Sequence, residues 1–215
     1  IAIFLFQLIM KYDTSEIMQS IQIAEKKHKE GKLNQANEIY KKLINQKIFT
    51  YDLLISYGLF NRDINNLSIA KNLFILTIKK YPLIIKPYLL LAEIFRKENN
   101  INNALKILNE ARKIEKLNSD IDYNFSLIYK LLNQFKVAIS YIDAAINIQP
   151  NNNIYKLLKA DILTESFQYN DAKILLKSLK LPKNSNLYLQ SKILTSKIYI
   201  NQKNFKMAEK ILLKL

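Results

Sequence analysis

The sequence predicts an all-α fold, an α-solenoid in which antiparallel helix pairs stack one on the next. Alanines recur every 34 residues, with a last spacing of 36, at Ala36, Ala70, Ala104, Ala138, Ala172 and Ala208. Apolar residues on both sides of each alanine follow helical spacing. The 215 residues include only two glycines and four prolines, too few for the many tight turns of a β-sandwich.

The surroundings of Ala138 define the repeating unit. A helical run over residues 121–132 precedes this alanine, and Asn133 and Gln134 interrupt the pattern. A second helical run begins at Phe135 and ends before Pro150. Each unit is therefore predicted to be a helix, a short turn and a second helix. One such unit cannot bury its apolar face alone, so neighbouring units must stack.

Other positions recur with the alanine. The second unit contains Leu54, Tyr57, Gly58, Ala70, Phe74 and Pro82, and the fourth contains Phe125, Ser126, Tyr129, Ala138, Ile142, Ala145 and Pro150. This pattern and its period resemble the tetratricopeptide repeat family. The resemblance implies a right-handed superhelix of six repeats within residues 17–215, over residues 17–50, 51–84, 85–118, 119–152, 153–186 and 187–215. The chain lacks tryptophan, which is usual at the first signature position, so the array is degenerate.

The small residues are predicted to have a packing role. Gly58 and Ala92 fall where the first helix of a unit approaches the second most closely. The six periodic alanines fall on the second helix and face them. Two helices approach to about 8 Å only when the side chains at the crossing are small.

Residues 1–10, IAIFLFQLIM, form an apolar run, and residues 1–16 are assigned to a separate N-terminal segment. A helix that spans a membrane needs about 20 apolar residues. Two interpretations stay open: a capping helix on the first repeat, or the remainder of a signal or anchor segment. We expect a cytoplasmic protein, or a membrane-anchored or periplasmic one if the second interpretation holds. The chain starts at Ile1 and stops within a second helix at Leu215, so we expect a fragment or processed chain whose last helix is followed or covered by something.

The formal net charge is +15, and lysine supplies nearly all of it, since only three arginines are present. Arginine is preferred where bidentate phosphate contacts matter. We therefore favour compositional drift in an AT-rich bacterial genome over a dedicated surface for acidic ligands. Nucleic acid is disfavoured as a partner, because Glu25, Glu93 and Asp161 would repel phosphate on the predicted binding face.

The side chains that carry most catalysis are scarce. The chain has no cysteine and one histidine, His28, which we expect to be solvated. These counts leave little material for a metal site or a nucleophile and base pair, so we predict no metal, no cofactor and no enzymatic activity. Asp161 and Glu165 lie at helical spacing, and a solvated face is favoured over a catalytic carboxylate pair.

The family resemblance also implies a concave groove lined by the first helices. The matching positions are Ile21, Ile55, Leu89, Tyr123, Leu157 and Ile193, with Arg62 and Arg96 nearby. Such a stripe suits an amphipathic helix or an apolar peptide of another protein, although part of it could be core between first helices. We therefore expect a protein-binding scaffold. The alternative is the N-terminal repeat region of a larger bacterial enzyme, such as a sulfotransferase or glycosyltransferase.

Overall fold

The computed structural model describes residues 14–213 of the chain. The twelve helices of this part are α1 (Thr14–Lys29), α2 (Leu33–Asn45), α3 (Tyr51–Asp63), α4 (Leu67–Lys80), α5 (Lys86–Lys97), α6 (Ile101–Ile114), α7 (Ser119–Leu131), α8 (Phe135–Ile148), α9 (Asn153–Glu165), α10 (Tyr169–Ser178), α11 (Asn186–Asn201) and α12 (Phe205–Leu212). They follow one another as antiparallel pairs, which confirms the predicted all-α fold of helix pairs. The apolar run 1–10, with both of its interpretations, lies outside the described residues.

The turn inside every helix pair contains a residue with positive φ. These residues repeat the period of the alanines and are Gly31, Asn65, Asn99, Asn133, Phe167 and Lys203. Glycine adopts this conformation without a steric penalty and asparagine tolerates it well, so four of the six turns have suitable residues. The following N–H closes the helix end, as where Gln134 donates to the Tyr129 carbonyl at 2.9 Å. The polar break predicted at Asn133 is therefore the left-handed residue that follows the helix C-cap, Leu132.

The described residues form two compact units, the first ending at Ile94 and the second beginning at Phe95. In the described part of the first unit, α1 packs on α2, α3 packs on α4, and α1 also contacts α3. Aromatic rings fill the space between the helix pairs. The Tyr40 ring stacks on Tyr57 at a centroid distance of 5.0 Å and lies 5.5 Å from Phe60. The second helix of the first repeat thus contributes directly to the core of the next repeat.

In the second unit α7 packs on α8, α9 on α10 and α11 on α12. The first helices of these pairs also contact one another, α7 with α9 and α9 with α11. Ile142, Ile162 and Ile198 are fully buried between the layers. The first helices therefore form a continuous face of α7, α9 and α11, and the candidate site lies on this face.

The structure places the periodic alanines in the core. Five of the six are fully buried and Ala208 nearly so, and Gly58 and Ala92 are also buried. The approach at one crossing is direct, because the Ser126 hydroxyl donates a hydrogen bond of 2.9 Å to the Ala138 carbonyl on the facing helix. None of the helices between residues 14 and 213 is both long and apolar enough to cross a bilayer.

Candidate functional site

An open cleft of about 400 Å³ lies on the first-helix face of the second unit. We call it the first-helix cleft. Residues of α7, α9 and α11 line it: Tyr123, Ile154, Leu157, Leu158, Asp161, Gln190, Ile193, Leu194 and Lys197. Leu157, Leu158 and Leu194 form a buried apolar floor, whereas Ile154 and Ile193 are each 50% exposed. The cleft therefore offers apolar side chains that the chain itself leaves half uncovered.

Three of the predicted groove residues, Tyr123, Leu157 and Ile193, meet in the first-helix cleft. They come from three successive first helices, at spacings of 34 and 36 residues. The Tyr123 ring is held by stacking on Tyr155 at a centroid distance of 5.2 Å. The Tyr155 hydroxyl in turn donates to the Asp120 carboxylate at 2.6 Å. This contact fixes one aromatic wall of the cleft.

The charged end of the first-helix cleft is an ion-pair network across three helices. Lys130 on α7 pairs with Asp161 and lies 3.3 Å from the Glu165 carboxylate, both on α9. Lys197 on α11 approaches the same two carboxylates, at 3.6 Å from Asp161 and 3.2 Å from Glu165. Two cations and two anions therefore balance, and the cleft has a polar edge without net charge.

Lys130 stays protonated in this network. Partial burial opposes its charge, but the hydrogen bonds and charges of the Asp161 and Glu165 carboxylates outweigh burial and raise the pKa of Lys130 above its usual value. The expectation that Asp161 and Glu165 form a solvated face is wrong, since both are half-buried and ion-paired. Each carboxylate is held by the two lysines of the network, Lys130 and Lys197.

Arg96 lies in a separate cleft of about 260 Å³ beside Leu127, Lys130, Leu131, Asn133 and Glu165. Its Nε atom is buried and finds no hydrogen-bond acceptor among residues 14–213. The structure therefore brings Arg96 close to the ion-pair network of Lys130 and Glu165, and away from the apolar floor around Leu157.

The predicted groove residues of the first unit are placed differently. Ile21 and Ile55 are buried, and Leu89 is half-buried. Ile21 belongs to the apolar core around Tyr40 and Leu53. These side chains offer little open surface to a ligand in this conformation. The alternative that part of the stripe is core between first helices describes Ile21 and Ile55 well.

The polar residues on the first-helix side of the first unit are engaged with one another. Arg62 donates to Asp63 at 2.9 Å and to Glu93 at 3.4 Å, and the Ser56 hydroxyl donates to Glu25 at 2.7 Å. His28, which was expected to be solvated, is half-buried and packs edge-on against the Phe60 ring at 5.1 Å. Its role in this position is packing.

Sequence reasoning missed Ile154 and Gln190 as cleft residues. Each lies three positions before a predicted groove residue, Leu157 and Ile193 respectively, which is one helical turn earlier on the same face. The ion pairs also have a sequence signal, since Arg62 with Glu93 and Lys130 with Asp161 are both 31 residues apart. This spacing is one repeat less one turn, and it joins neighbouring first helices.

No group of three or more His, Asp or Glu side chains within residues 14–213 is placed to hold a metal ion. The first-helix cleft combines an apolar floor, half-exposed isoleucines and a network of paired charges. An apolar area with a polar rim is typical of surfaces that bind other proteins.

Comparisons with known proteins agree with the helix-pair architecture. Residues 123–152, which cover most of α7 and all of α8, match the family described as tetratricopeptide repeat. No curated protein sequence is similar enough to this chain to count as a relative.

Several solved structures share the fold at low sequence identity. A tetratricopeptide repeat protein of Parabacteroides merdae has a TM-score of 0.79 at 12% identity, over 94% of this chain and 78% of that one. The Pseudomonas aeruginosa protein pilF has a TM-score of 0.69 at 15% identity, over 93% and 90%. A thermophilic tetratricopeptide repeat protein of Thermus thermophilus has a TM-score of 0.68 at 14% identity, over 81% and 96%. The chain therefore shares the fold of tetratricopeptide repeat proteins, residues 123–152 match one such repeat, and the twelve described helices are consistent with about six helix-pair repeats.

Proposed function

We propose that this chain is a non-catalytic scaffold that holds a peptide or helix of another protein in the first-helix cleft. The observation that carries the proposal is the meeting of Tyr123, Leu157 and Ile193 in one open cleft with a charged edge. Tetratricopeptide repeat proteins typically mediate protein–protein interactions, which supports the class of function.

The apolar part of the cleft supplies the driving force. Ile154 and Ile193 are each half exposed, so a partner that covers them removes apolar surface from water. Complete burial of one isoleucine contributes about 1.5–3 kcal/mol, so covering the exposed half of each contributes about 1 kcal/mol. The buried leucines below them form a floor that does not have to rearrange.

The charged edge selects the kind of partner. Asp161 and Lys197 lie 3.6 Å apart at the rim, so each can also accept or donate a hydrogen bond to a partner. An amphipathic segment with apolar residues at i, i+3 and i+4 and polar residues beside them matches this surface. Phosphate matches it less well, because Lys130 and Lys197 are already paired with carboxylates.

The experiment starts with selection of peptides from a random displayed library on the purified chain. Binding of a selected peptide is then measured for the natural chain, Ile193→Asp and Ile174→Asp. Ile174 is the matched control, because it is also an exposed isoleucine of the second unit, lies on α10 and does not line the first-helix cleft. We expect Ile193→Asp to weaken binding by at least about tenfold, since the partner would desolvate the new charge among the apolar side chains of the cleft.

Two results would count against the proposal. Equal affinity of Ile193→Asp and the natural chain would remove the cleft as the binding site. Equal weakening by Ile193→Asp and Ile174→Asp would indicate a general effect of the added charge.

A further inference from the structure

The end of the first unit carries an apolar cleft that the described helices leave open. We call it the end cleft. It has a volume of about 290 Å³ and lies between α1 and α2, lined by Glu16, Ile17, Ser20, Ile23, Ile39, Lys42, Leu43, Gln46 and Ile48. It is separate from the first-helix cleft, because its described lining residues all lie between Glu16 and Ile48.

Comparison of equivalent positions indicates what is missing from the end cleft. Ile23 is 50% exposed, whereas Tyr57 and Leu91, at 34 and 68 residues further on, are 6% and 1% exposed. Tyr57 is covered by the second helix of the preceding repeat. The Tyr40 ring on α2 stacks on the Tyr57 ring at 5.0 Å, and the Tyr57 hydroxyl donates to Asn37, also on α2, at 3.0 Å.

Ile23 therefore occupies the same repeat position as Tyr57, and that position is covered by the second helix of the preceding repeat. The same relationship is present in the second unit. The guanidinium of Arg112 on α6 lies over the ring of Phe125 on α7, at 5.6 Å, and Phe125 is the next equivalent of Ile23. Among the described residues no such helix lies against Ile23.

The sequence before α1 is in register with such a helix. Ala2 precedes Ala36 by 34 residues, and Phe6 precedes Tyr40 by 34 residues. Residues 1–11 thus match the part of α2 that ends at Asn45, with alanine at the close-packed position and an aromatic residue four positions later. Large apolar residues also fill the Phe6 position in the following repeats, as Phe74, Leu108 and Ile142.

We propose that residues 1–11 occupy the end cleft as a second helix would, with Phe6 against Ile23 in the way that Tyr40 contacts Tyr57. The partners are chemically matched, because residues 1–10 contain no charged side chain and Ile17, Ile23 and Ile39 line the cleft. The packing removes apolar surface of both the segment and the end of α1 from water.

Thiol labelling tests this directly, because the natural chain contains no cysteine. Two single variants are compared, Ile23→Cys in the end cleft and Ile75→Cys on α4. Ile75 is the matched control, since it is an isoleucine of the same unit and is 49% exposed. Their reaction rates with a maleimide are measured under native conditions and divided by the rates in concentrated urea. We expect the normalised rate at Ile23→Cys to be at least about tenfold lower than the normalised rate at Ile75→Cys. Labelling at position 23 then requires residues 1–11 to leave the end cleft by a local opening.

A second variant identifies the segment. Phe6→Asp, combined with either cysteine, is expected to raise the Ile23→Cys rate to that of Ile75→Cys and to leave the Ile75→Cys rate unchanged. Equal rates at the two cysteines in the natural background would overturn the proposal. So would protection that survives Phe6→Asp, or protection that disappears on dilution, which would assign the cleft to a second copy of the chain. Loss of protection on addition of lipid vesicles would assign residues 1–11 to a membrane instead.

Discussion

Gly58 and Phe74 approach so closely that a Cβ atom on residue 58 would lie 2.3 Å from Cε1 of the Phe74 ring. Gly58 stands in the middle of α3, and the fully buried Phe74 stands on the facing helix α4. The fourth repeat has Ser126 and Ile142 at the equivalent positions, and both are fully buried. Of these two repeats, the one with glycine has the aromatic ring and the one with the larger serine has an aliphatic side chain.

Gly58→Ala is therefore expected to destabilise the chain, although alanine is the better helix former. The added methyl group overpacks a crossing at which Phe74 has no free space, at a cost of about 1–3 kcal/mol. The gain in helix propensity offsets about 1 kcal/mol of this. Phe74→Leu in the Gly58→Ala background should recover stability, because the smaller side chain leaves room for the added methyl group. Urea unfolding measures both, and an unchanged midpoint for Gly58→Ala would contradict this contact.

Phe167 is expected to destabilise the folded chain because of its backbone conformation. It has a φ of 63° in the turn between α9 and α10, where Asn65, Asn99 and Asn133 stand in other repeats. A left-handed conformation costs a bulky residue about 1–2 kcal/mol, and asparagine tolerates it better. Phe167→Asn should therefore stabilise the chain by about 0.5–1 kcal/mol, after loss of the edge contact with Tyr169. Phe167→Leu is the control, and thermal unfolding should show no gain in stability for it. A gain as large as that of Phe167→Asn would contradict the explanation from the left-handed backbone.

Arg112 is expected to stabilise the chain through its ion pair with the buried Asp122. The guanidinium pairs with this buried carboxylate, donates to the Lys116 carbonyl at 2.8 Å and lies over the Phe125 ring. Arg112→Met leaves the carboxylate buried and unpaired, so we expect a loss of about 3 kcal/mol in denaturant unfolding. The double variant Arg112→Met with Asp122→Leu should regain most of this, because no buried charge is left. Failure of the second change to restore stability would indicate that packing of the arginine stem dominates.

Tyr155 is expected to make stability depend on pH in alkaline solution. Burial, together with the hydrogen bond to Asp120, raises the pKa of Tyr155 to about 12, from an ordinary value near 10. A raised pKa means that the folded state keeps the phenol protonated, so the stabilisation is complete below pH ~10 and is lost as the pH rises toward 12. Tyr155→Phe should lower the free energy of unfolding by about 1–2 kcal/mol at pH 8.

The difference between Tyr155→Phe and the natural chain should then shrink between pH ~10 and ~12, because only the natural chain loses the contribution of this phenol. Urea unfolding at closely spaced pH values measures this difference. A difference that stays constant up to pH ~12 would contradict the assigned hydrogen bond and its effect.

The repeat architecture could be predicted because it depends on features with a fixed period. The spacing of Ala104 and Ala138 gave the helix pairs, and the interruption at Asn133 gave a turn that the structure closes with a left-handed residue. At these positions local conformational propensity and tertiary packing favour the same structure. The structure there can therefore be predicted from a single sequence.

The first-helix cleft was harder to predict, because the exposure of a side chain depends on the side chains packed around it. The 34-residue period does not specify those neighbouring side chains. Ile21, Ile55 and Ile193 occupy one repeat position, yet the first two are buried and the third is half exposed. The position is the same and the covering side chains differ between repeats. The ion pair of Lys130 with Asp161 was missed for a related reason, since long side chains reach one turn along the neighbouring helix and pair outside the 34-residue register.

The most direct test of the central claim is methyl NMR of the isoleucine-labelled chain during titration with a selected peptide. Ile154 and Ile193 lie in the first-helix cleft, whereas Ile148 and Ile174 are exposed elsewhere in the second unit. We predict saturable shifts of the Ile154 and Ile193 methyl resonances and no shift of the other two. Shifts confined to Ile148 and Ile174, with Ile193 unchanged at saturation, would contradict binding in the first-helix cleft.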